Sequence, residues 1–313
     1  MSPRVFVAGA SGAIGRPLVR RLVEAGHEVT GMTRRQAAAT EIEAAGARGV
    51  VCDVFEREAL ALAIAEARPQ VLVHELTSLP DVFDFKDPEL YTATNRVRTE
   101  GTRNLLAAAR EAATGRVVAQ SIAFVYAPVG GWVKDEDAPV MNDAPGTFGE
   151  ALGAVFDLER QVAQAEGIDG RVLRYGFFYG PGTTYAGDGY HAGEVRRRRF
   201  PIVGRGEGTL SFIHVEDAAS ATVAAVERGA PGIYNVADDD PAPMRDWVPV
   251  YAEALGAKRP LRVPVLLARV VAGRAAAALA TQTRGASNEK AKRELGWSPR
   301  HPSWRQGFRE ALG

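Results

Sequence analysis

The chain has 313 residues, 46% of them hydrophobic, which is enough for one large core or two modest ones. Basic and acidic residues each number 38, so no net field draws the whole chain to nucleic acid or to an anionic membrane, and neither is predicted as a partner. The one cysteine, Cys52, excludes an intrachain disulfide and fits a reducing compartment. The short stretch before Val5 has no room for a signal peptide, so a cytoplasmic location is expected.

Short valine-rich runs alternate with amphipathic segments of helical length through the first half of the chain. Strands are predicted at Val5–Ala8, Glu28–Met32, Gly49–Cys52, Val71–Val73, Arg116–Ala119 and Gly170–Leu173. Helices are predicted at Ile14–Ala25, Arg57–Ala67, Leu90–Ala113 and Glu150–Ala165. The alternation predicts an α/β fold, with a doubly wound parallel sheet covered by helices on both faces.

The second half of the chain follows a different pattern. Glycine and proline cluster in residues 176–189 and 201–208, which predicts loops, and Gly232–Val236 is predicted to be a late strand. The apolar stretch Val263–Ala280 contains Pro264 and two arginines and is predicted to form an amphipathic helix packed on protein. We therefore expect a dinucleotide-binding domain of residues 1–175 with 209–236. A smaller, mainly helical substrate lobe would comprise residues 176–208 with 237–313.

A glycine-rich turn separates the first predicted strand from the first predicted helix. Its glycines allow a tight turn, a close backbone approach to a pyrophosphate and close packing of helix on strand. The free N–H groups of the helix then face the phosphates. This arrangement is typical of the Rossmann fold and predicts cofactor contacts from Gly9, Ser11, Gly12, Ala13, Ile14 and Gly15.

The end of the second predicted strand indicates which dinucleotide binds. NAD binders usually place an acidic residue there for the ribose hydroxyls, whereas an arginine suits the 2′-phosphate of NADP. This chain has Arg34 and Arg35 at that point and no acidic residue. NADP(H) is therefore favoured over NAD(H).

Several motifs along the chain resemble those of the extended short-chain dehydrogenase/reductases, also called the NAD-dependent epimerase/dehydratase family. Besides the glycine turn, they are Cys52-Asp53-Val54, Asn95 with Glu100–Leu106, Ser121–Tyr126, Leu173–Tyr175, Tyr179–Gly182, Ser211–Asp217 and Lys292–Pro299. The resemblance implies that Asp53 and Val54 meet the adenine, while Leu76 and Thr77 line the dinucleotide. It places Asn95 and Ser121 near the nicotinamide end of the cofactor and Phe177 against the nicotinamide.

The proton-transfer residues of that family are missing at their expected positions. The family uses a Tyr with a Lys four residues later, followed by a Glu after four more. If Glu159 is that Glu, Ala151 and Val155 stand where the Tyr and the Lys should be, and no lysine of the chain follows a tyrosine by four residues. The catalytic role then passes to other groups, and Ser121 and Tyr126 are the candidates.

Candidate substrate contacts are Phe178, Tyr179, Tyr185 and His191, which lie in or close to the glycine-rich segment. A histidine there has an ordinary pKa near 6.5, suited to proton transfer. No cluster of His, Cys or carboxylate residues has metal-ligand spacing, so no metal is predicted.

The resemblance implies an NAD(P)-dependent oxidoreductase, and the residues favour a small substrate. In nucleotide-sugar enzymes of the family an Asn and an Arg hold the diphosphate, and Phe177 and Leu210 stand at those positions. Two alternatives remain open. One is a non-catalytic NADP(H)-binding redox sensor or regulator, and the other is a sugar epimerase or dehydratase. Family members commonly form dimers through two helices, here Leu90–Ala113 and Glu150–Ala165, so a homodimer is predicted.

Overall fold

A parallel seven-stranded sheet forms the centre of the computed structural model, which describes residues 2–80 and 82–312. The strands of the described residues belong to this sheet or to four small two-stranded sheets. In chain order they are β1 Arg4–Ala8, β2 Glu28–Thr33, β3 Arg48–Val51, β4 Val71–His74, β5 Arg116–Ile122, β6 Val133–Lys134, β7 Asp169–Tyr175, β8 Phe177–Tyr179, β9 Ile202–Val203, β10 Thr209–Leu210, β11 Phe212–His214, β12 Gly232–Val236, β13 Ala242–Pro243, β14 Arg262–Val263 and β15 Gly285–Ala286. The main sheet has the order β12-β7-β5-β4-β1-β2-β3, which confirms the predicted doubly wound α/β architecture.

Helices cover both faces of the sheet. They are α1 Gly15–Glu24, α2 Gln36–Ala44, α3 Arg57–Ala67, α4 Thr92–Arg96, α5 Thr102–Glu111, α6 Gly146–Ala163, α7 Tyr190–Arg196, α8 Val215–Glu227, α9 Met244–Ala254, α10 Val265–Val271, α11 Arg274–Gln282, α12 Glu289–Leu295 and α13 Trp304–Leu312. A π-helical turn, Val97–Gly101, joins α4 to α5. Among the residues described, no helix has the length and apolar character needed to cross a bilayer.

Alternating side chains of the strands build two cores. Val5 and Val7 of β1 face α1 and α8, where they pack with Leu18 and Ala218. Phe6 and Ala8 point to the other face and pack against α3 and α5. A sheet buried on both faces accounts for the continuous valine-rich runs in the sequence.

The strands and helices predicted for the first half lie close to their observed bounds, and α2 was not predicted. Three predictions for the second half are wrong. Residues 201–208 were expected to be loop, but Ile202–Val203 forms β9. Residues 176–189 were expected to be loop, but Phe177–Tyr179 forms β8, which pairs in parallel with β11. The stretch from Val263 to Ala280 was expected to be one packed helix. It instead forms α10 and α11, which are separated at Gly273 (φ +93°).

A third cluster of buried aromatic residues joins the C-terminal helices to β11. Phe212 of β11 lies 5.2 Å from Trp247 of α9 and 5.3 Å from Phe308 of α13, between ring centroids. This cluster gives the C-terminal segment its own core. The division into the two predicted lobes stays a prediction.

Truncating Trp247 tests how far that core stabilises the chain. Its side chain is fully buried, so Trp247→Ala leaves a large cavity and should lower the free energy of unfolding by about 3–5 kcal/mol. Trp132→Ala is the matched control, because this indole is 41% exposed, and it should cost about 1 kcal/mol or less. Urea unfolding followed by circular dichroism measures both variants. Equal losses would contradict this account of the core.

Candidate functional site

The turn after β1 brings three backbone segments into close contact. Gly9 has φ +96°, and a Cβ atom at this position would lie 2.7 Å from the carbonyl carbon of Glu75. A Cβ atom at Gly15 would lie 2.1 Å from the carbonyl oxygen of Gly9. The N–H of Gly12 donates to that same oxygen at 3.1 Å. Only glycine fits at Gly9 and Gly15, so the start of α1 stays open for an anion.

Ser11 ties this turn to the end of β2. Its Oγ lies 3.0 Å from Oγ1 of Thr33, and the N–H of Arg35 points to the same Thr33 oxygen at 3.4 Å. Arg34 and Arg35 follow, and both side chains are exposed. Two guanidinium groups are therefore available beside the turn, where a ligand phosphate could pair with them.

The predicted adenine contacts lie after β3. Oδ1 of Asp53 accepts from the N–H of Phe55 at 3.0 Å, so its carboxylate closes a local turn. The carbonyl oxygen of Val54 accepts from Nδ2 of Asn104 at 3.0 Å, which anchors this segment to α5. These bonds hold the loop at the carboxyl edge of the sheet, where parallel α/β sheets bind their ligands.

Leu76 and Thr77 leave β4 along the same edge. The N–H of Leu76 donates to Nδ1 of His74 at 3.2 Å, and its carbonyl oxygen accepts from Nε2 of Gln120 at 3.0 Å. Thr77 is exposed, and Asn95 of α4 is half-buried. Oδ1 of Asn95 is buried and has no hydrogen-bond partner among residues 2–80 and 82–312. An acceptor in this state suits a ligand that supplies a donor.

Ser121, at the end of β5, belongs to a buried polar network. Its hydroxyl donates to Oε1 of Glu159 at 2.6 Å. Arg174 of β7 binds both carboxylate oxygens of Glu159, at 2.8 and 2.6 Å, as a bidentate pair. The Ser121 proton is thereby committed to Glu159.

Tyr126 extends this network. Its hydroxyl donates to Oδ1 of Asn235 at 2.6 Å and accepts from Nη1 of Arg174 at 3.2 Å. Burial raises the pKa of the phenol, although Arg174 opposes the shift. The two catalytic candidates, Ser121 and Tyr126, are therefore brought together through Arg174, and neither hydroxyl has a proton left to donate.

The positions that the resemblance assigns to the Tyr and the Lys lie on α6. Ala151 and Val155 are both buried, and Val155 packs with Phe148 and Leu152 in an apolar cluster. These side chains contribute packing and cannot exchange a proton.

Aromatic side chains gather beside the end of β5. The rings of Phe124 and Phe177 stack with centroids 4.2 Å apart, and Tyr185 meets Phe177 edge-on at 6.4 Å. His191 lies 4.5 Å from Tyr185 between ring centroids, and Phe83 stacks with the imidazole at 6.1 Å. Three predicted site residues, Phe177, Tyr185 and His191, therefore share one aromatic cluster.

The structure changes the chemistry expected of His191. Burial lowers its pKa to about 4, and Nδ1 is buried with no hydrogen-bond partner among the described residues. The imidazole is therefore neutral near pH 7, and the sequence-based argument from an ordinary pKa does not hold. Burial likewise raises the pKa of Tyr185.

The structure does not bring Phe178 and Tyr179 to this cluster. Side chains alternate along β8, so Phe178 points away from Phe177 and packs against Tyr175 at 5.3 Å, in the core below α8. Tyr179 is fully buried against Phe308 and His214. Both side chains have packing partners that account for their positions.

Sequence reasoning missed two charged residues close to the end of β4. Glu75 is buried, accepts from the Tyr175 hydroxyl at 3.1 Å, and has its pKa raised to about 8 by burial. Burial lowers the pKa of Arg98 to about 10, and Arg98 makes no ion pair among the described residues. An acidic residue directly after a buried strand could have drawn attention to Glu75. Arg98 gave no such signal, because an arginine on an amphipathic helix usually faces water.

Comparison with known proteins adds three findings. The model of the NAD dependent epimerase/dehydratase family matches residues 5–237. The chain is 48% identical over 306 residues to a 3-diazoavenalumate denitrifying reductase of a Streptomyces species, covering 97% of this chain and 99% of the relative. It is 29% identical over 321 residues to a 4-hydroxy-2-methyl-3-oxo-4-farnesyl-3,4-dihydroquinoline-1-oxide ketoreductase of Stigmatella aurantiaca, covering 95% and 92%.

A solved structure shares the whole fold. The UDP-glucose 4-epimerase of Thermotoga maritima, determined with UDP-glucose, superposes with a TM-score of 0.76 at 20% identity, over 98% of this chain and 97% of that one. The match supports the architecture alone. The family model and the reductase relatives give the family and the class of activity. The chain belongs to the NAD-dependent epimerase/dehydratase family and is an oxidoreductase of the extended short-chain dehydrogenase/reductase type, a nicotinamide-nucleotide-dependent family.

Proposed function

We propose that this chain is an NADP(H)-dependent reductase that transfers a hydride to a small aromatic diazo compound and releases dinitrogen. The observation that carries the proposal is the direction of two hydrogen bonds. Ser121 donates to Glu159 and Tyr126 donates to Asn235, so neither of the two catalytic candidates has a proton to give. A reaction that needs a hydride and no proton suits this arrangement.

The cofactor part of the proposal rests on residues that fit a dinucleotide. The glycine cradle would face the pyrophosphate, Arg34 and Arg35 would pair with the 2′-phosphate, and Oδ1 of Asn95 would accept a hydrogen bond from the ligand. When bound, the reduced nicotinamide supplies a hydride. The proposed contacts are Gly9, Ser11, Gly12, Ala13, Ile14, Gly15, Arg34, Arg35, Asp53, Val54, Leu76, Thr77, Asn95, Ser121 and Phe177.

The commitment of the Ser121 and Tyr126 hydroxyls to Glu159 and Asn235 narrows the substrate class. Reduction of a ketone adds a hydride to carbon and a proton to oxygen, so a positioned acid accelerates it by about 10²–10⁴-fold. A diazonium group carries its own positive charge. Hydride forms the new C–H bond, and the C–N bond breaks with its electron pair leaving on dinitrogen. Charge balances without a proton from the protein.

The aromatic part of the substrate is inferred from the cluster around Phe177. The stacked rings of Phe124 and Phe177 and the neutral imidazole of His191 offer π faces. Such a surface suits a flat ring, and the negative faces of the phenylalanines attract a cation. The 48% identical relative is named for a diazo substrate that loses nitrogen on reduction. The same chemistry is proposed for this chain.

A nucleotide sugar is a poorer candidate for this site. Phe177 and Leu210 stand where the family resemblance expects the diphosphate anchors, and Leu210 is buried in β10. Neither side chain can bind an anion. A homodimer through residues 90–113 and 150–165 stays part of the proposal.

The cofactor preference can be tested by fluorescence titration with NADPH and NADH. Arg34→Ala removes a charge-assisted contact to the 2′-phosphate and should raise the Kd for NADPH roughly 10–100-fold, leaving that for NADH unchanged. Arg57→Ala changes the same charge at an exposed position on α3 and is the control. Wild-type protein that binds both cofactors equally would refute the selectivity.

Isotope labelling tests the hydride chemistry. Wild-type protein is given 4-hydroxybenzenediazonium with NADPH deuterated at C4 of the nicotinamide. The phenol produced should carry deuterium from the cofactor, with dinitrogen released in equal amount. In heavy water with unlabelled NADPH, the ring position should carry hydrogen. Deuterium taken from the solvent at that carbon would contradict direct hydride transfer.

Two hydroxyl variants test whether proton delivery contributes. Ser121→Ala and Tyr126→Phe should each lower kcat on the diazonium by less than about tenfold, since neither hydroxyl donates to the substrate. Loss of a true general acid would cost about 10²–10⁴-fold. A larger loss on the diazonium, or faster turnover of simple ketones than of the diazonium by wild type, would favour a ketoreductase.

A further inference from the structure

Helix α10 presents apolar side chains to solvent. Leu266 is 74% exposed, Val270 70%, Val271 63% and Leu267 49%. Residues one, four and five positions apart on one short helix form a continuous strip along its outer side. Monomeric soluble proteins seldom expose such a contiguous apolar patch, and a binding surface usually explains one.

The inner side of α10 is held in place by the protein. Ala268 is buried in a small cluster with Val203 and Ala277. Strand β14, just before the helix, pairs in parallel with β9. Because the inner side of α10 is already packed against the protein, the outer leucines and valines are not part of this chain's own core.

The segment of chain that carries this strip has charge of one sign, although the neighbouring loop that meets Gly273 also has exposed acidic residues. Residues 255–288 contain no Asp or Glu, and they carry Lys258, Arg259, Arg262, Arg269, Arg274 and Arg284. The first five of these are exposed. The whole chain has equal numbers of acidic and basic residues, so this concentration is local. We call α10 and its five exposed cations the basic-apolar face.

We propose that the basic-apolar face docks the protein on an anionic lipid bilayer. Its leucines and valines would enter the boundary between headgroups and acyl chains, and its cations would pair with anionic headgroups. The side chains protrude, so they suit a soft, deformable surface without any matching groove. A second copy of the chain fits poorly, because a twofold contact would set like charges against each other.

The basic-apolar face lies close to the loop that contacts the aromatic cluster of the candidate site. The α10–α11 junction touches the loop below it, since a Cβ atom at Gly273 would lie 3.7 Å from both the Phe85 carbonyl oxygen and the Lys86 side chain. The same loop carries Phe83, whose ring covers His191 and whose carbonyl oxygen accepts from Tyr190 at 3.3 Å. Docking would therefore hold the aromatic cluster close to the lipid surface.

The test is co-sedimentation of the full chain with vesicles of phosphatidylcholine alone and with 30 mol% phosphatidylserine added. We expect binding that needs the anionic lipid and weakens with salt. Leu266→Ser with Val270→Ser should reduce the partition coefficient at least tenfold. Arg262→Gln with Arg269→Gln should reduce it roughly 30-fold.

Matched controls separate the face from general surface properties. Leu62→Ser changes a leucine that is 66% exposed on α3, and Arg300→Gln with Arg309→Gln removes two exposed charges elsewhere. Both should bind vesicles like wild type, and all variants should keep their affinity for NADPH. Equal binding by the Leu266/Val270 variant overturns the proposal, as does wild-type protein that ignores phosphatidylserine. Sedimentation velocity tests whether a second copy of the chain occupies the face. A wild-type dimer that the Leu266→Ser/Val270→Ser variant converts to monomer would assign the face to self-association instead.

Discussion

The close backbone contact between Gly9, Gly15 and the end of β4 is the constraint on which the site depends. Any side chain at Gly9 would collide with the Glu75 backbone, and any at Gly15 would collide with the Gly9 carbonyl. The contact lets α1 begin directly over the carboxyl edge of the sheet, where its free N–H groups point at a ligand. The ends of β2, β4 and β5 lie along this same edge of the sheet, from the exposed arginines to Ser121.

A second constraint is the buried pair of Glu159 and Arg174. Two charges removed from water are stabilising only when their hydrogen bonds are satisfied. Here the Ser121 hydroxyl donates to Glu159, and the Tyr126 hydroxyl accepts from Arg174. This satisfaction turns both hydroxyls away from donating to a substrate. In the proposed reaction, this rigid arrangement leaves the chemistry to a hydride and to an electrophile that needs no acid.

The sequence was sufficient for the sheet because its signals are local. Valine-rich runs, helical spacing and the glycine turn each follow from the backbone geometry of a few neighbouring residues, and their alternation predicts a doubly wound parallel sheet. The polar network was beyond such reasoning, because Ser121, Glu159, Arg174 and Asn235 meet only after four separate elements have packed. The lowered pKa of His191 was missed for the same reason, since Phe83, which stacks with the imidazole, is distant in sequence. The alternation that turns Phe178 away from Phe177 was readable only once that segment was known to be a strand.

The π-helical turn between α4 and α5 has a consequence for how this site can vary. A wide turn holds about one residue more than an α-helical turn over nearly the same length, so it rotates everything before it by about 100°. Asn95 lies before that turn, while Thr102, which meets His74 at 3.1 Å, lies after it. A homologue lacking one residue at 97–101 would keep both helices and the sheet beneath them, yet its Asn95 would rotate around the helix axis and away from the carboxyl edge of the sheet. A single-residue gap at this point therefore signals altered ligand contacts rather than a shortened loop.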